Sequence, residues 1–446
     1  MSNEITPIVA VIGAGPAGLY AAKQLTLDGC QVVLFNRDIK PGGLAEYGIY
    51  PDKLRMKEGL RVQFRSILSS PMVRYFGNVR VGEECDITLQ QIHNLGFHVL
   101  LATVGAQAEK SLGIPGESLV GVYHAKEVVY HYNQLPPFSE WSMEIGKKVA
   151  IVGVGNVMLD LSRWLIDEKH VDEVIAIARR GPAEVKFDRK ELETVVERID
   201  LDLLNQEVQR VSATMISVGQ TPQSALTVYH EALEKALPHE NPTCLRMRFL
   251  SSPKQILEGT DGRVRGLELE ENTLRMEDGE IKAIGTGVFE VLDVDTVIFA
   301  IGDAVDTRLG LPVIGNQFVK NPDSKFLVEG ESYESCATRI EPDPCGVFVA
   351  GWARKASSGV VGIARKDGVN AALAVKSYLQ SGIKLNPVSL EEICKDLGIR
   401  LPQAVNYDDI VCLEAAEKFK GNELGIEGFK FSTNHEMLKR MGKLVR

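Results

Sequence analysis

An α/β fold with parallel sheets is predicted by three features of this 446-residue chain. The stretches IVAVIGAGPAGLYAAKQL from Ile8 and KVAIVGVGNVMLDLSRWL from Lys148 each carry a short apolar run into closely spaced glycines and then a helical period. That order marks a strand, a tight turn and a helix in a parallel sheet. Two more apolar runs, HVLLATVGAQ at 98–107 and VDTVIFAIGDAV at 294–305, read as buried strands, and the second returns the chain to its first domain. The prediction is two Rossmann-like dinucleotide-binding domains, the second inserted in the first. Residues 1–105 begin the first, 106–305 form the second, and 306–446 complete the first and carry a C-terminal extension.

With 44% apolar and 25% charged residues, the chain has the composition of a soluble globular protein long enough for two or three domains. Its formal charge of -10 argues against nucleic-acid binding, which needs a basic face for phosphate. Seven cysteines at 30, 85, 244, 336, 345, 394 and 412 include no C-x-x-C pair, so neither a redox dithiol of that type nor a cysteine-ligated cluster is indicated. Their odd number and wide spacing fit a reducing cytosol. No apolar run approaches the roughly 20 residues of a membrane span, and no basic n-region precedes the first strand. A cytoplasmic location is expected.

In the first glycine-rich unit, Gly13 permits the tight turn, Gly15 lets backbone approach a pyrophosphate, and Gly18 allows close packing of helix on strand. The helix from about Pro16 then aims its positive end at the phosphates. The acid usual at the end of the next strand is missing, since QVVLFNRD offers Asn36. Asn36 either bonds a ribose hydroxyl without the charge assistance of a carboxylate or forms a simple turn.

In the second unit, Gly153 and Gly155 are followed by Asn156, and Met158 stands where a third Gly or Ala is usual. A bulky residue there predicts a helix that is repacked or set away from its strand. VIAIARRGPAEVKF then places Arg179 and Arg180 where an NAD site carries an acid. Two guanidinium forks suit an adenosine 2'-phosphate, which predicts NADPH; a solvated basic strand end is the alternative. Beyond it, residues 205–243 read as a surface elaboration with one helical piece from about Ser224 to Ala236. RMRFLSSPKQILEGTDGRVRGLELEENTLRMEDG alternates apolar and polar residues around a D-G turn and predicts antiparallel strands.

The stretches GAGPAGLYAA, PGGLAEYGIYPDK, FGNVRVG, IPGESLVGVYHAKEVVYHYNQLPP, GVGNVMLDLSRWL, RRGPAEVKF, RFLSSP and GWARKASSGVVG run along nearly the whole chain. Together they resemble the adrenodoxin reductase family of ferredoxin-NADP reductases. The tail from Tyr407 resembles that family's mostly helical C-terminal segment. The resemblance implies FAD at the first unit, with Gly13, Gly15, Ala17, Gly18, Asn36, Leu44 and Val81 at matching positions. It implies NADPH at the second, with Gly153, Val154, Gly155, Asn156, Arg179, Arg180 and Glu191. It also implies Trp352 beside the flavin, where disulfide reductases commonly place a carboxylate, with the backbone of Gly359, Val360 and Val361 at the isoalloxazine edge. The loop PGGLAEYGIYPDK also looks like the glutamate synthase small-subunit group, whose cysteine-rich cluster domain is not seen in this chain.

The implied activity is hydride transfer from NADPH to FAD, followed by single-electron transfer to a ferredoxin-like iron-sulfur protein, without a protein nucleophile or metal. In the family, proton movement near the flavin is attributed to a histidine, which is Lys53 here, and to carboxylates at positions matching Asp160 and Glu191. A lysine holds its proton too firmly for a histidine-like relay, so Lys53 is either added positive charge near the flavin or acceptor, or a surface lysine. Lys53, Arg55, Lys57, Arg61 and Arg65 form either a docking face for an acidic ferredoxin or a solvated face, three of them at i, i+4 spacing. Arg354, Lys355, Arg365 and Lys366, around Trp352, likewise serve a partner or solvent. The rival readings are an electron-input subunit of a larger complex and a flavin-binding module with little turnover, the latter resting on Asn36 and Met158.

Overall fold

The computed structural model describes residues 5–336, 346–355 and 361–444. The chain forms two compact units, one of residues up to 109, 130–140 and 302 onward, the other of 110–129 and 141–301. The sequence placed the joints at 105 and 305 and did not separate out 130–140. That segment joins the first unit because Tyr130 and Leu135 bury themselves with Tyr47, against Leu44 and Phe138.

The first unit is built on a five-stranded parallel sheet in the order Gly346–Val349, Val99–Ala102, Ile8–Ile12, Gln31–Phe35, Val73–Phe76. Ile8–Ile12 lies at the centre and is buried on both faces, which is why it reads as a continuous apolar run. Its register sets Val9 beside both Val32 and Val99. Helices Pro16–Leu27 and Val361–Leu379 pack on one face through Leu19, Leu25, Ala371 and Val375. The C-terminal extension is helical, Leu390–Arg400, Tyr407–Leu424 and Asn434–Arg440, and it belongs to this core. Ile393 and Leu397 close one face of the sheet, while Ile410, Leu413 and Met437 join the cluster on the other.

The second unit repeats the plan, with parallel order Val122–His124, Thr296–Phe299, Lys148–Val152, Glu173–Ile177, Cys244–Arg248. A three-stranded antiparallel sheet, Ser251–Glu258, Val264–Glu277 and Glu280–Leu292, packs Ile256, Leu267 and Leu269 against it. The expectation of one helical piece in 205–243 is corrected: two helices, Leu201–Ser217 and Pro222–Leu233, occupy the region. The first starts at Asp200, whose side chain accepts from the Leu203 N–H, and buries Leu204, Val208, Val211 and Met215 at helical spacing. Among the described residues no helix is long and apolar enough to cross a membrane.

Candidate functional site

The strand order of the first unit reverses between Ile8–Ile12 and Val99–Ala102, and ligands of open parallel sheets bind at such a switch point. Gly13 sits there at φ +113, and a Cβ on it would lie 2.6 Å from the Thr103 carbonyl oxygen. A Cβ on Gly18 would lie 1.9 Å from the Gly13 oxygen, so the helix presses directly on the turn. Gly15, by contrast, has open space where its Cβ would be. Gly15 also caps helix Pro16–Leu27, and no side chain bonds its first turn. A glycine facing space beside an uncapped helix start fits a pyrophosphate. Buried Ala17 lies on the same first turn.

Beyond the ends of strands Gln31–Phe35 and Val73–Phe76 lies a cavity of about 780 Å³, lined among others by Arg37, Asp38, Tyr47, Asn78, Arg80 and Pro136. Leu44 begins a short helix beside Tyr47, and Val81 packs on the cluster holding Ile12 and Phe35. Asn36 is 6% exposed and its amide serves the protein itself. Its Oδ1 accepts from the Ala14 N–H at 3.0 Å, and its Nδ2 donates to the Asp38 and Lys40 carbonyls at 2.8 and 3.0 Å, with the Tyr75 hydroxyl at 3.2 Å. Of the two readings for Asn36, the turn is what these bonds describe: it ties the glycine loop to the following strand end.

In the second unit, Gly153 at φ +120 abuts the Ala300 carbonyl, and Gly155 caps helix Asn156–Trp164 without a side-chain bond. The Val154 carbonyl accepts from the Lys186 N–H, which brings a lysine unmarked in the sequence to the loop's edge. Met158 is fully buried, and the hydroxyl of Ser162, one turn on in the same helix, lies 3.5 Å from its sulfur. Asn156 is bound on both sides to Asp188, at 2.8 and 2.9 Å. Arg179 is exposed and Arg180 half-buried, and neither forms an ion pair among the described residues. The Arg180 Nε is buried without a hydrogen-bond partner, an orphaned donor that an anionic group would satisfy. Asp160 lies on helix Asn156–Trp164 and Glu191 on the short helix Arg189–Leu192, both half-buried.

Trp352 lies half-buried in a 3₁₀ turn, Gly351–Ala353, after strand Gly346–Val349. Val361 opens helix Val361–Leu379, while Gly359 and Val360 lie outside the described residues. The four nearby cations have partners within the protein. Arg354 pairs with Asp367 and Glu331, Lys355 with Glu331, Lys366 with Glu329, and Arg365 stacks over Tyr20.

Lys53 caps helix Leu54–Leu68 and its carbonyl accepts from the Lys57 N–H. Of the five cations, Arg55 is exposed and Lys53 half-buried, while the other three are engaged within the protein. Lys57 is 3% exposed and bonds Asn133; Arg61 grips buried Glu46 at 2.6 and 2.8 Å; Arg65 pairs with Glu414 and Glu58. Glu46 also meets Lys430 at 2.8 Å, and Lys40 meets Glu417 at 2.5 Å. Burial works to raise the Glu46 pKa, but Lys430, Lys40 and Arg61 together hold it well below the usual carboxylate range. These charges fasten the C-terminal extension to the first unit.

A family model for pyridine nucleotide-disulphide oxidoreductases matches residues 7–326. Curated relatives include the mitochondrial NADPH:adrenodoxin oxidoreductase of Arabidopsis thaliana, 27% identical over 96% of this chain and 94% of its own length. The NADPH-ferredoxin reductase FprA of Mycobacterium leprae is 26% identical, covering 97% of each chain. Among solved structures, Mycobacterium tuberculosis FprA in complex with NADPH shares the fold at TM-score 0.80 and 24% identity, over 98% of this chain and 99% of that one. With the family model covering both glycine-rich units and the strands that carry them, the chain belongs to the pyridine nucleotide-disulphide oxidoreductase family.

Proposed function

We propose that the protein is an FAD-containing reductase that takes a hydride from NADPH and passes electrons singly to a ferredoxin-like iron-sulfur protein. The observation that carries this reading is the pair of glycine turns under uncapped helix starts, the second followed by Arg179 and Arg180, which no acid among the described residues pairs. Relatives along the whole chain named as NADPH-dependent adrenodoxin and ferredoxin reductases support it.

Bound FAD supplies the change from two-electron to one-electron chemistry. Gly13, Gly15, Ala17 and Gly18 present backbone to its pyrophosphate, Leu44 and Val81 give apolar surface, and Asn36 keeps the loop in shape. Gly153, Val154 and Gly155 cradle the second pyrophosphate, and Arg179 and Arg180 take the 2'-phosphate, which selects NADPH over NADH. Asn156 and Glu191 support that side. Trp352 covers the flavin and excludes water; Val361 begins the helix whose positive end favours negative charge there. Lys53 adds positive charge near the same place, and Asp160 takes part in proton movement.

Anaerobic titration of the purified protein with NADPH and NADH tests the reading. The flavin spectrum bleaches at lower NADPH than NADH, and a plant-type ferredoxin added next is reduced at the flavin's expense. No retained flavin or no bleaching overturns the reductase reading, preference for NADH overturns the arginine argument, and an unreduced ferredoxin overturns the acceptor.

A further inference from the structure

Arg354 is the largest fully buried side chain among the described residues, at 1% exposure. Its guanidinium is held from every side. Nε donates to Asp367 Oδ2 at 3.2 Å and one terminal nitrogen to Asp367 Oδ1, while the other reaches Glu331 at 2.9 Å. The guanidinium plane stacks on Tyr333, 4.1 Å from the ring centre, and the Tyr333 hydroxyl lies 3.3 Å from Asp367 Oδ1. A buried pair of this kind is weak evidence for stability, because desolvation offsets most of the attraction. Its presence needs another account.

Asp367 supplies one. Its Oδ2 also accepts from the Gly351 N–H at 2.6 Å, so a single carboxylate holds both ends of the turn that carries Trp352. Gly351 has φ +70, and a Cβ there would lie 2.8 Å from the Ala17 Cβ. Gly368, next to Asp367, lets its helix approach so closely that a Cβ would lie 2.1 Å from the Ala17 carbonyl oxygen. The turn is therefore bolted to helix Val361–Leu379 and set against the first turn of helix Pro16–Leu27. A turn closed by backbone alone would not fix Trp352 relative to both helices.

We propose that Arg354 and Asp367 are positioning residues that set the indole of Trp352 against the flavin. This rests on the reading of Trp352 given above. Rigid support of this kind is what a stacking residue needs, since a displacement near 1 Å at a reacting centre slows chemistry by up to roughly a hundredfold.

The test compares wild type, Arg354→Lys and the paired apolar replacement Arg354→Met/Asp367→Leu. FAD is titrated into each apoprotein, and Trp352 quenching by FAD is read as the emission difference from a matched Trp352→Phe protein. Stopped-flow measures flavin reduction by NADPH, and a melt measures stability. The apolar pair lowers the Tm by no more than a few degrees, because the buried pair itself contributes little and the remaining cost is the Gly351 N–H left without its acceptor. Its flavin reduction nonetheless falls roughly ten- to hundredfold, and its Trp352 quenching weakens, with FAD affinity within about threefold of wild type. Arg354→Lys, which keeps the charge but spans fewer partners, lies between. Wild-type quenching and reduction rate in either variant overturn the proposal. Wild type that binds FAD without quenching Trp352 overturns the reading of Trp352 itself, and with it this proposal; wild type that is not bleached by NADPH overturns the reductase reading alone, while the quenching arm still decides the positioning.

Discussion

Replacing Lys57 by methionine is expected to stabilise the protein at pH 6 and to have almost no effect at pH 10. Lys57 is 3% exposed, with its ammonium donating to Asn133 Oδ1 at 2.7 Å. Burial first, then the charge of Lys430, draws its pKa from 10.5 down to about 7; Glu46 and Asp52 pull the other way, and Arg61 adds to the fall. The unfolded chain keeps that proton up to its ordinary pKa, whereas the native chain gives it up near neutrality. Between the two values the unfolded state binds more protons, so stability rises with pH across that window and is lowest below it. A drop from 10.5 to about 7 corresponds to about 5 kcal/mol at 1.36 kcal/mol per unit, an upper bound because water and side chains relax around a buried charge. Methionine removes the penalty and forfeits the Asn133 bond, worth about 1 kcal/mol. The net gain at pH 6 is then at most about 4 kcal/mol. At pH 10 the penalty has fallen to under about 1 kcal/mol and the lost bond cancels it. Urea unfolding of both proteins at pH 6, 8 and 10 measures the difference. A gain that does not shrink with rising pH, or a loss at pH 6, refutes the reasoning.

Three further outcomes follow from the same contacts. Changing Arg179 and Arg180 to alanine raises the KM for NADPH by more than about tenfold, since each charge-assisted bond is worth roughly 1.5–3 kcal/mol, and leaves that for NADH nearly unchanged; equal effects on both nucleotides exclude a 2'-phosphate contact. Asn36→Asp, which restores the acid usual at that position, destabilises the protein by about 2–4 kcal/mol in a urea titration at pH 7, because the carbonyls of Asp38 and Lys40 then face a carboxylate. Gly368→Ala lowers the Tm by pushing helix Val361–Leu379 off the Ala17 carbonyl, at about 1–3 kcal/mol for such overpacking, and an unchanged melt would show that the two helices separate freely.

What was legible in the sequence is what lies within one strand, turn and helix. Gly13 and Gly18, like Gly153, are required by contacts of their own unit or of the neighbouring strand end, and the apolar runs around them are long enough to mark both parallel sheets. Met158, read as a residue that must be repacked or stand off, is fully buried, with its sulfur beside the Ser162 hydroxyl of the next turn. The helix Leu201–Ser217 was missed because its buried apolar residues are interleaved with Asp202, Asn205 and Gln206, and even buried Glu207 reads as part of a polar flank. Helix Pro222–Leu233 and the strands Cys244–Arg248 and Val264–Glu277 give those residues something to pack on, and most of that information lies well downstream. The return of 130–140 to the first unit was hidden for the same reason, since Tyr130 acquires its meaning from Tyr47 and Leu44.

The cations of helix Leu54–Leu68 show where such reading fails in physical terms. Lys57, Arg61 and Arg65 share one helical stripe, and such a stripe looks solvated in a sequence because only Glu58 lies near enough along the chain to offset part of it. The neutralising groups are Glu46, which is 15 residues from Arg61, and Glu414, which is 349 residues from Arg65. Once those carboxylates arrive, Lys57 and Arg61 turn inward and the partly exposed Arg65 ties the helix to Glu414 of helix Tyr407–Leu424. The same holds for Arg354, one of four cations near Trp352 in sequence, whose partners Glu331 and Asp367 lie on either side of it. A charge run therefore states only that compensation is needed; whether solvent, a docking protein or a distant carboxylate provides it is decided by topology. In both places here a carboxylate of the protein itself supplies most of the compensation: Lys40 and Arg61 meet buried Glu46, and Arg354 meets Asp367.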